Sequence, residues 1–281
     1  MNMKNNNDYK NKVRDVYNEI ANHYLDNFSK GRLRLLFDLI QDSIKVHITE
    51  EIEHVLDAGG GMGHFGMVAA ERGALVTVID IAKSMLDVGR ELSLKNGLNN
   101  KMIYKEGDVE KLEIQDNTFD FIISEGSVLS FLSNPQQALN EFYRVLRPKG
   151  KALLSVQNRM YFMYESHSLP VIQAVYKSGR VFPQINSSSD YRCTTHSFMP
   201  EEIRSMIKQS GFDILYFRPR FIVASRFEDI DMKLDSDPSF YQEMLLFEKK
   251  LECNPEFINL GRMFSILIEK PGKTKPRKVD K

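Results

Sequence analysis

Val55 to Gly66, VLDAGGGMGHFG, is the stretch whose reading decides the fold. An apolar run from Ile52 to Leu56, interrupted by Glu53 and His54, leads through Asp57 into glycines at 59, 60, 61, 63 and 66, then into an Ala-rich helical pattern. That order reads as strand, tight loop, helix. Glycines permit positive φ and let backbone approach a ligand closely, and the start of the following helix offers unpaired N–H groups. Two ligand readings follow. Gly61, Gly63 and Gly66 spell G-x-G-x-x-G with Asp80 about 20 residues on, the bare pattern of a dinucleotide site. Asp57, Gly59, Gly61 and Gly63 spell D-x-G-x-G-x-G. Charge separates the two: a carboxylate at the mouth of the loop repels a pyrophosphate and favours a cationic ligand.

Working outward, Leu75 to Ile79 is a short β-branched run, expected as a buried parallel strand, and it ends in Asp80. An acid there is placed to accept hydrogen bonds from ribose hydroxyls, although IDIAKSML also starts a helix that Asp80 could cap. That helix, residues 82–95, stops at Asn96 and Gly97; a third strand is expected from Lys101 to Lys105, followed by Asp108 and Val109. Thr118 to Ser124 reads as a fourth strand with Glu125, Gly126 and Ser127 at its carboxyl end, the edge where open α/β sheets bind ligands. A helix over 136–146, a turn at Pro148 and Gly150, and a fifth strand complete this half.

Before the glycine loop, residues 1 to about 8 are expected to be disordered, and Val13, Val16, Tyr17, Ile20, Ala21 and Tyr24 then recur at helical spacing. A second helix follows Gly31, with Leu33, Leu36, Phe37, Ile40 and Ile44 on its buried side. Residues 157–197 are too long for an ordinary connection and carry Tyr161, Phe162, Met163, Tyr164, Tyr176, Phe182 and Tyr191; they are expected to form a cap over the substrate. The pattern resumes with a helix begun by Pro200, a strand from Phe212 to Phe217, a helix near 239–251 and a last strand from Met263 to Glu269. The tail KPGKTKPRKVDK is basic and reads as solvated.

Four motifs in order, Asp57 to Gly63, Asp80, Asp108 and the 118–155 block, resemble those of the class I S-adenosylmethionine (SAM) dependent methyltransferases of small-molecule type, across about residues 9–156 and 198–270. The resemblance implies an α/β, Rossmann-like seven-stranded sheet, mostly parallel with its last strand antiparallel between the fifth and sixth, plus N-terminal helices and a cap insertion. One methyltransferase domain over 1–281 is expected: 1–48 an N-terminal helical lid, 49–156 the SAM-binding half, 157–197 the cap, 198–270 the C-terminal half, 271–281 the tail. The donor, released as S-adenosylhomocysteine, would meet Asp57, Gly59, Gly61 and Gly63, with Asp80 and Ile81 at its ribose. By the same resemblance Asp108 would meet the adenine amino group and the Val109 N–H a ring nitrogen, while Ser124 and Tyr24 would also line the site. One departure matters: many relatives place an acid and a histidine where this chain has Ser130 and Phe131, so candidates for a base are Glu125, His64, His167 and His196. The acceptor is expected to be a small molecule methylated on oxygen, nitrogen or carbon. Alternatives are an RNA or protein methyltransferase, an NAD-dependent oxidoreductase and a non-catalytic SAM-binding module.

Composition supports a soluble enzyme. The chain has 281 residues, is 42% hydrophobic and 27% charged, and its formal charge is zero, which gives nucleic acid or an anionic membrane no electrostatic reason to bind. Only Cys193 and Cys253 are present, which suggests a reducing compartment without a disulfide framework. The N-terminus is polar, no apolar run has membrane-spanning length, and no metal-ligand spacing is visible, so a cytoplasmic, metal-independent enzyme is expected.

Overall fold

A computed structural model describes residues 6–181 and 194–272. Of the stretch to about residue 8 expected to be disordered, residues 1–5 lie outside the described residues and 6–8 instead begin the first helix; Phe182, Tyr191, Cys193 and the tail from residue 273 also lie outside the described residues. Helices α1 (Asn6–Ile20) and α2 (Gly31–His47), separated by two short 3-10 turns, come first. Then follow β1 (His54–Ala58), α3 (His64–Glu71), β2 (Leu75–Asp80), α4 (Lys83–Lys95), β3 (Met102–Glu106), β4 (Phe119–Ser124), α5 (Pro135–Val145) and β5 (Leu146–Gln157). The chain continues through α6 (Arg159–Glu165), α7 (Leu169–Ser178), β6 (Arg180–Val181), β7 (Thr195–His196), α8 (Pro200–Gln209) and β8 (Asp213–Arg220). It closes with α9 (Asp231–Ser236), α10 (Pro238–Glu252) and β9 (Met263–Glu269).

The sheet has seven strands in the order β3-β2-β1-β4-β5-β9-β8, with β9 antiparallel to both neighbours, the architecture anticipated from the motifs. Its strands are apolar on both sides because both faces are covered. Val55, Val76, Val78, Phe121 and Ile123 face Leu35, Leu39, Ile40 and Ile44 of α2 among others. Leu56, Ile122, Leu154 and Ile266 face Leu139 and Phe142 of α5 and Ile203 and Ile207 of α8. Each such side chain contributes roughly 1.5–3 kcal/mol by leaving water. The strand order reverses between β1 and β4, and that switch opens a crevice outside the carboxyl ends of both strands.

The turn expected at Pro148 and Gly150 forms, but inside the fifth strand rather than before it. Leu146 already pairs with Phe119, and Lys149, at φ 67°, sits in a register shift before Lys151 pairs with Phe121. Gly150 is required there, since a Cβ would lie 2.8 Å from the Arg147 carbonyl oxygen. The described part of 157–197 forms α6, α7 and a two-stranded ribbon, β6 with β7, but it does not roof the crevice. Tyr161 is buried and donates to the Ser225 carbonyl at 3.0 Å, so this segment packs against the chain that follows β8. Tyr164 and Tyr176 are exposed. Among the described residues no helix is long and apolar enough to cross a membrane.

Candidate active site

The crevice is a cavity of about 1030 Å³, counted out through its open mouth, and its roof comes from the N-terminal helices. Val13 and Val16 of α1 pack with Ile81 and Phe131, which draws Tyr17 over the mouth; Tyr24 and Leu25 extend the roof to Phe37 of α2. Beneath lie Gly59 to Met62, Asp80, Ile81, Gly107 to Glu110, Glu125 and Gly126, all at the carboxyl ends of parallel strands or in the turns after them.

The glycine loop is shaped by its packing. Gly59, Gly61 and Gly63 adopt φ of 69°, 54° and 72°. Gly59 lies so close beneath Val128 that a Cβ would overlap it, and a Cβ on Gly63 would approach Val78 at 2.8 Å. The Asp80 carboxylate braces this loop: Gly61 N–H donates to Oδ2 at 2.9 Å and Ala82 N–H to Oδ1 at 2.8 Å. Each oxygen keeps a lone pair for a ligand, and burial pushes the carboxyl up from its ordinary range.

Several anticipated residues line the cavity and several do not. Gly59, Gly61, Asp80, Ile81, Asp108, Val109, Tyr24, Glu125 and His64 do. Asp57, Gly63 and Ser124 are not brought to the wall. Asp57 is 1% exposed, and its Oδ2 accepts the Gly66 N–H at 2.9 Å behind the loop. Its carboxyl occupies the space a side chain on Gly60 would need. Burial raises its pKa to about 7, the Gly66 N–H opposes this, and the charges of Asp80 and Glu125 add to it. Ser124 donates to the Ala58 carbonyl at 3.2 Å, tying β4 to β1. His167 is exposed between α6 and α7; His196 lies 3.1 Å from Glu202 and edge-on to Phe198. Neither histidine reaches the cavity.

Charge at the wall is lopsided. Asp80, Asp108, Glu110 and Glu125 contribute carboxylates, whereas Lys10 is the ammonium, and it is bound 2.6 Å from Asp108 and 2.7 Å from Glu110. His64, half-buried with its ring 4.2 Å from Phe37 and its Nε2 3.1 Å from Gln41, has its pKa lowered to about 4 by desolvation and stays neutral at pH 7. Burial, and secondarily the charge of Asp80, raises the Tyr24 phenol to about 12, so it remains a donor. Lys10 and Glu110 were not singled out in the sequence. Glu110 had a faint signal in the acidic GDVEKL turn, where it accepts from Ser133 and Asn134 N–H groups. Behind Glu125 lies Arg220, 1% exposed, which no local sequence pattern marks.

Known proteins agree with this geometry. The methyltransferase-domain family profile matches residues 56–154. The ubiquinone/menaquinone biosynthesis C-methyltransferase of Brucella suis is 32% identical over 71% of this chain and 74% of its own length. Its counterpart in Zymomonas mobilis is 30% identical over 74% of this chain and 86% of its own length. Among solved structures, a SAM-dependent methyltransferase of Thermotoga maritima superposes with a TM-score of 0.58 over 92% of this chain and 99% of that one, at 17% identity. The [4+2]-cyclase SpnF superposes at 0.57 over 84% of this chain and 82% of its own, at 18% identity, a likeness of fold alone. The chain belongs to the class I, Rossmann-like SAM-dependent methyltransferases. It is therefore a transferase that uses SAM.

Proposed function

We propose that the crevice binds SAM along β1, β2 and β3 and presents its methyl group to a small, largely apolar acceptor held between Glu125, Phe37, Val128 and Phe131. The observation that carries this reading is the acidic wall: four carboxylates and one committed ammonium suit a donor bearing sulfonium and ammonium charges and would repel the diphosphate of a nicotinamide dinucleotide. Asp80 would pair with the ribose hydroxyls, Asp108 and the Val109 N–H with adenine, and Gly59 to Gly61 with the amino-acid end, while Tyr24 closes over the whole. Asp57 acts one layer back, fixing the loop through Gly66. When bound, SAM supplies a methyl group already made electrophilic by its sulfonium.

The chain's own residues then orient the acceptor and exclude water, and orientation can contribute ~7 kcal/mol or more of the barrier. Support for a small apolar acceptor comes from the aromatic wall and from relatives named as C-methyltransferases of ubiquinone/menaquinone biosynthesis. Calorimetric titration tests the donor site: S-adenosylhomocysteine should bind and NADH should not. Binding of NADH with indifference to S-adenosylhomocysteine would overturn the reading.

A further inference from the structure

Glu125 follows the last residue of β4, and its side chain is fully buried while still forming part of the cavity wall. Oε1 lies 3.3 Å from Arg220 Nη1, and the Ser155 hydroxyl and Gly126 N–H also favour the charged carboxylate, while Oε2, equally buried, makes no hydrogen bond of its own among the described residues. Buried carboxylate oxygens are nearly always satisfied, so an orphan at a ligand cavity marks a group awaiting a donor. Arg220 is itself held from several sides. Nε lies 3.2 Å from Glu252 of α10, Nη2 donates to Ser43 Oγ of α2 at 2.5 Å, and its residue ends β8. Glu248, beside Glu252 on α10, is engaged by the N–H groups of Ile222, Val223 and Ala224. Asp57 of β1 and Tyr216 of β8 are the other titratable groups whose fields reach Glu125. The Glu125 carboxylate therefore has one oxygen engaged by Arg220 and one without a hydrogen bond, on a residue that lines the cavity.

We infer that Glu125 is the general base of methyl transfer, Oε2 taking the proton of a neutral O–H or activated C–H acceptor such as a phenol or an enolisable ketone, with Arg220 as its positioning residue. This rests on the donor site proposed above. In the balanced step the acceptor's proton passes to Glu125 Oε2. The electron pair left on the acceptor's oxygen or carbon forms the new bond to the methyl carbon, and the carbon–sulfur pair stays on sulfur in S-adenosylhomocysteine. Charge favours a neutral acceptor. The positive charge lost at sulfur is matched by the proton gained at Glu125, so the dry cavity keeps its total, whereas an ammonium acceptor would add a second positive charge beside the sulfonium. Burial raises the proton affinity of Glu125, and Arg220, Ser155 and the Gly126 N–H oppose it, leaving the carboxylate a stronger base than an exposed one.

The test uses the full chain with tritium-labelled SAM and a series of probes of rising acidity, phenol, 4-chlorophenol and 4-nitrophenol, together with acetylacetone and benzylamine. Wild type should label the acidic probes in preference to benzylamine. Glu125→Gln should bind S-adenosylhomocysteine in calorimetry as wild type does, yet lose about 100-fold or more in kcat on phenol. That deficit should shrink toward 4-nitrophenol, which ionises without help, and an infrared carboxyl band that appears in wild type on acidification should be missing from the variant. A deficit constant across the phenols, activity equal to wild type, labelling of benzylamine alone, or no labelling of any acidic probe would overturn the assignment. Failure of wild type to bind S-adenosylhomocysteine would instead strike the donor site beneath it. If Glu125→Gln does not fold, Glu125→Asp, whose carboxylate is drawn back from the acceptor, should show the same graded deficit, and no deficit there also overturns it.

Discussion

The two sides of this cavity are built in opposite ways. On the donor side, Gly59, Asp80 and Asp108 each end or follow their own strand within one continuous stretch, and the bracing bond from Gly61 to Asp80 spans only 19 positions. On the other side, Arg220 meets Glu125 across 95 positions and Ser43 across 177. A site made from successive strand ends can be rebuilt loop by loop. A site made from one guanidinium gripped by three distant elements stands or falls together.

The largest expected effect tests that difference directly. Arg220→Met leaves Glu125 and Glu252 buried without their counter-charge and should cost about 3–5 kcal/mol in urea unfolding. Adding Glu125→Gln and Glu252→Gln to the same chain should recover much of that loss; if the triple variant is no more stable than Arg220→Met, the three do not act as one unit.

Next, on the donor side, Asp80→Ala removes an acceptor for two ribose hydroxyls and frees the Gly61 and Ala82 N–H groups. Affinity for S-adenosylhomocysteine should fall by roughly 100-fold, about 2.7 kcal/mol, with a smaller change in stability. An unchanged calorimetric affinity would remove Asp80 from the ribose.

A pH experiment separates bracing from ligand contact at Asp57. Its pKa is raised from the ordinary carboxylate range to about 7, chiefly by burial, so the folded state holds the proton more tightly than the unfolded state. The stability this contributes is full below about pH 4 and is lost as pH rises through 7. Asp57→Asn should therefore be more stable than wild type at pH 8, on the order of 3 kcal/mol, with the gap closing at pH 4. A gap independent of pH would show that the carboxyl is not titrating there.

Lys10→Met should have the smallest effect. It removes a partly exposed ion pair with Asp108 and Glu110, worth about 1 kcal/mol or less and weakened by salt. S-adenosylhomocysteine titrations at low and high salt should converge for wild type and variant.

How much was legible follows the same division. Strand ends after β1, β2 and β3 could be read because apolar runs stop abruptly in Gly or Asp, and these stops all lie on one edge of a parallel sheet. Whether a motif residue faces the ligand or the loop was not legible. Asp57 had been expected to meet a cation, yet its carboxylate turns back to the Gly66 N–H. Gly63 likewise meets Val78 and Tyr104 rather than the cavity, and Ser124 the carbonyl of Ala58. The aromatic richness of 157–197 suggested a cap; of the described aromatics there, Tyr161 packs beside the chain after β8 with Phe162 against it, while Tyr164 and Tyr176 are exposed. The roof comes from α1 and α2 instead.

By itself the sequence determined the sheet, the family and the edge on which a ligand binds, because strand, glycine bend and helix start are local events written in neighbouring residues. Only the tertiary structure decided that Arg220 and Glu125 meet, that Lys10 is committed to Asp108, and which histidines are remote. Those pairings depend on chain segments brought together by burial, and burial sums over the whole molecule rather than over any one stretch of it.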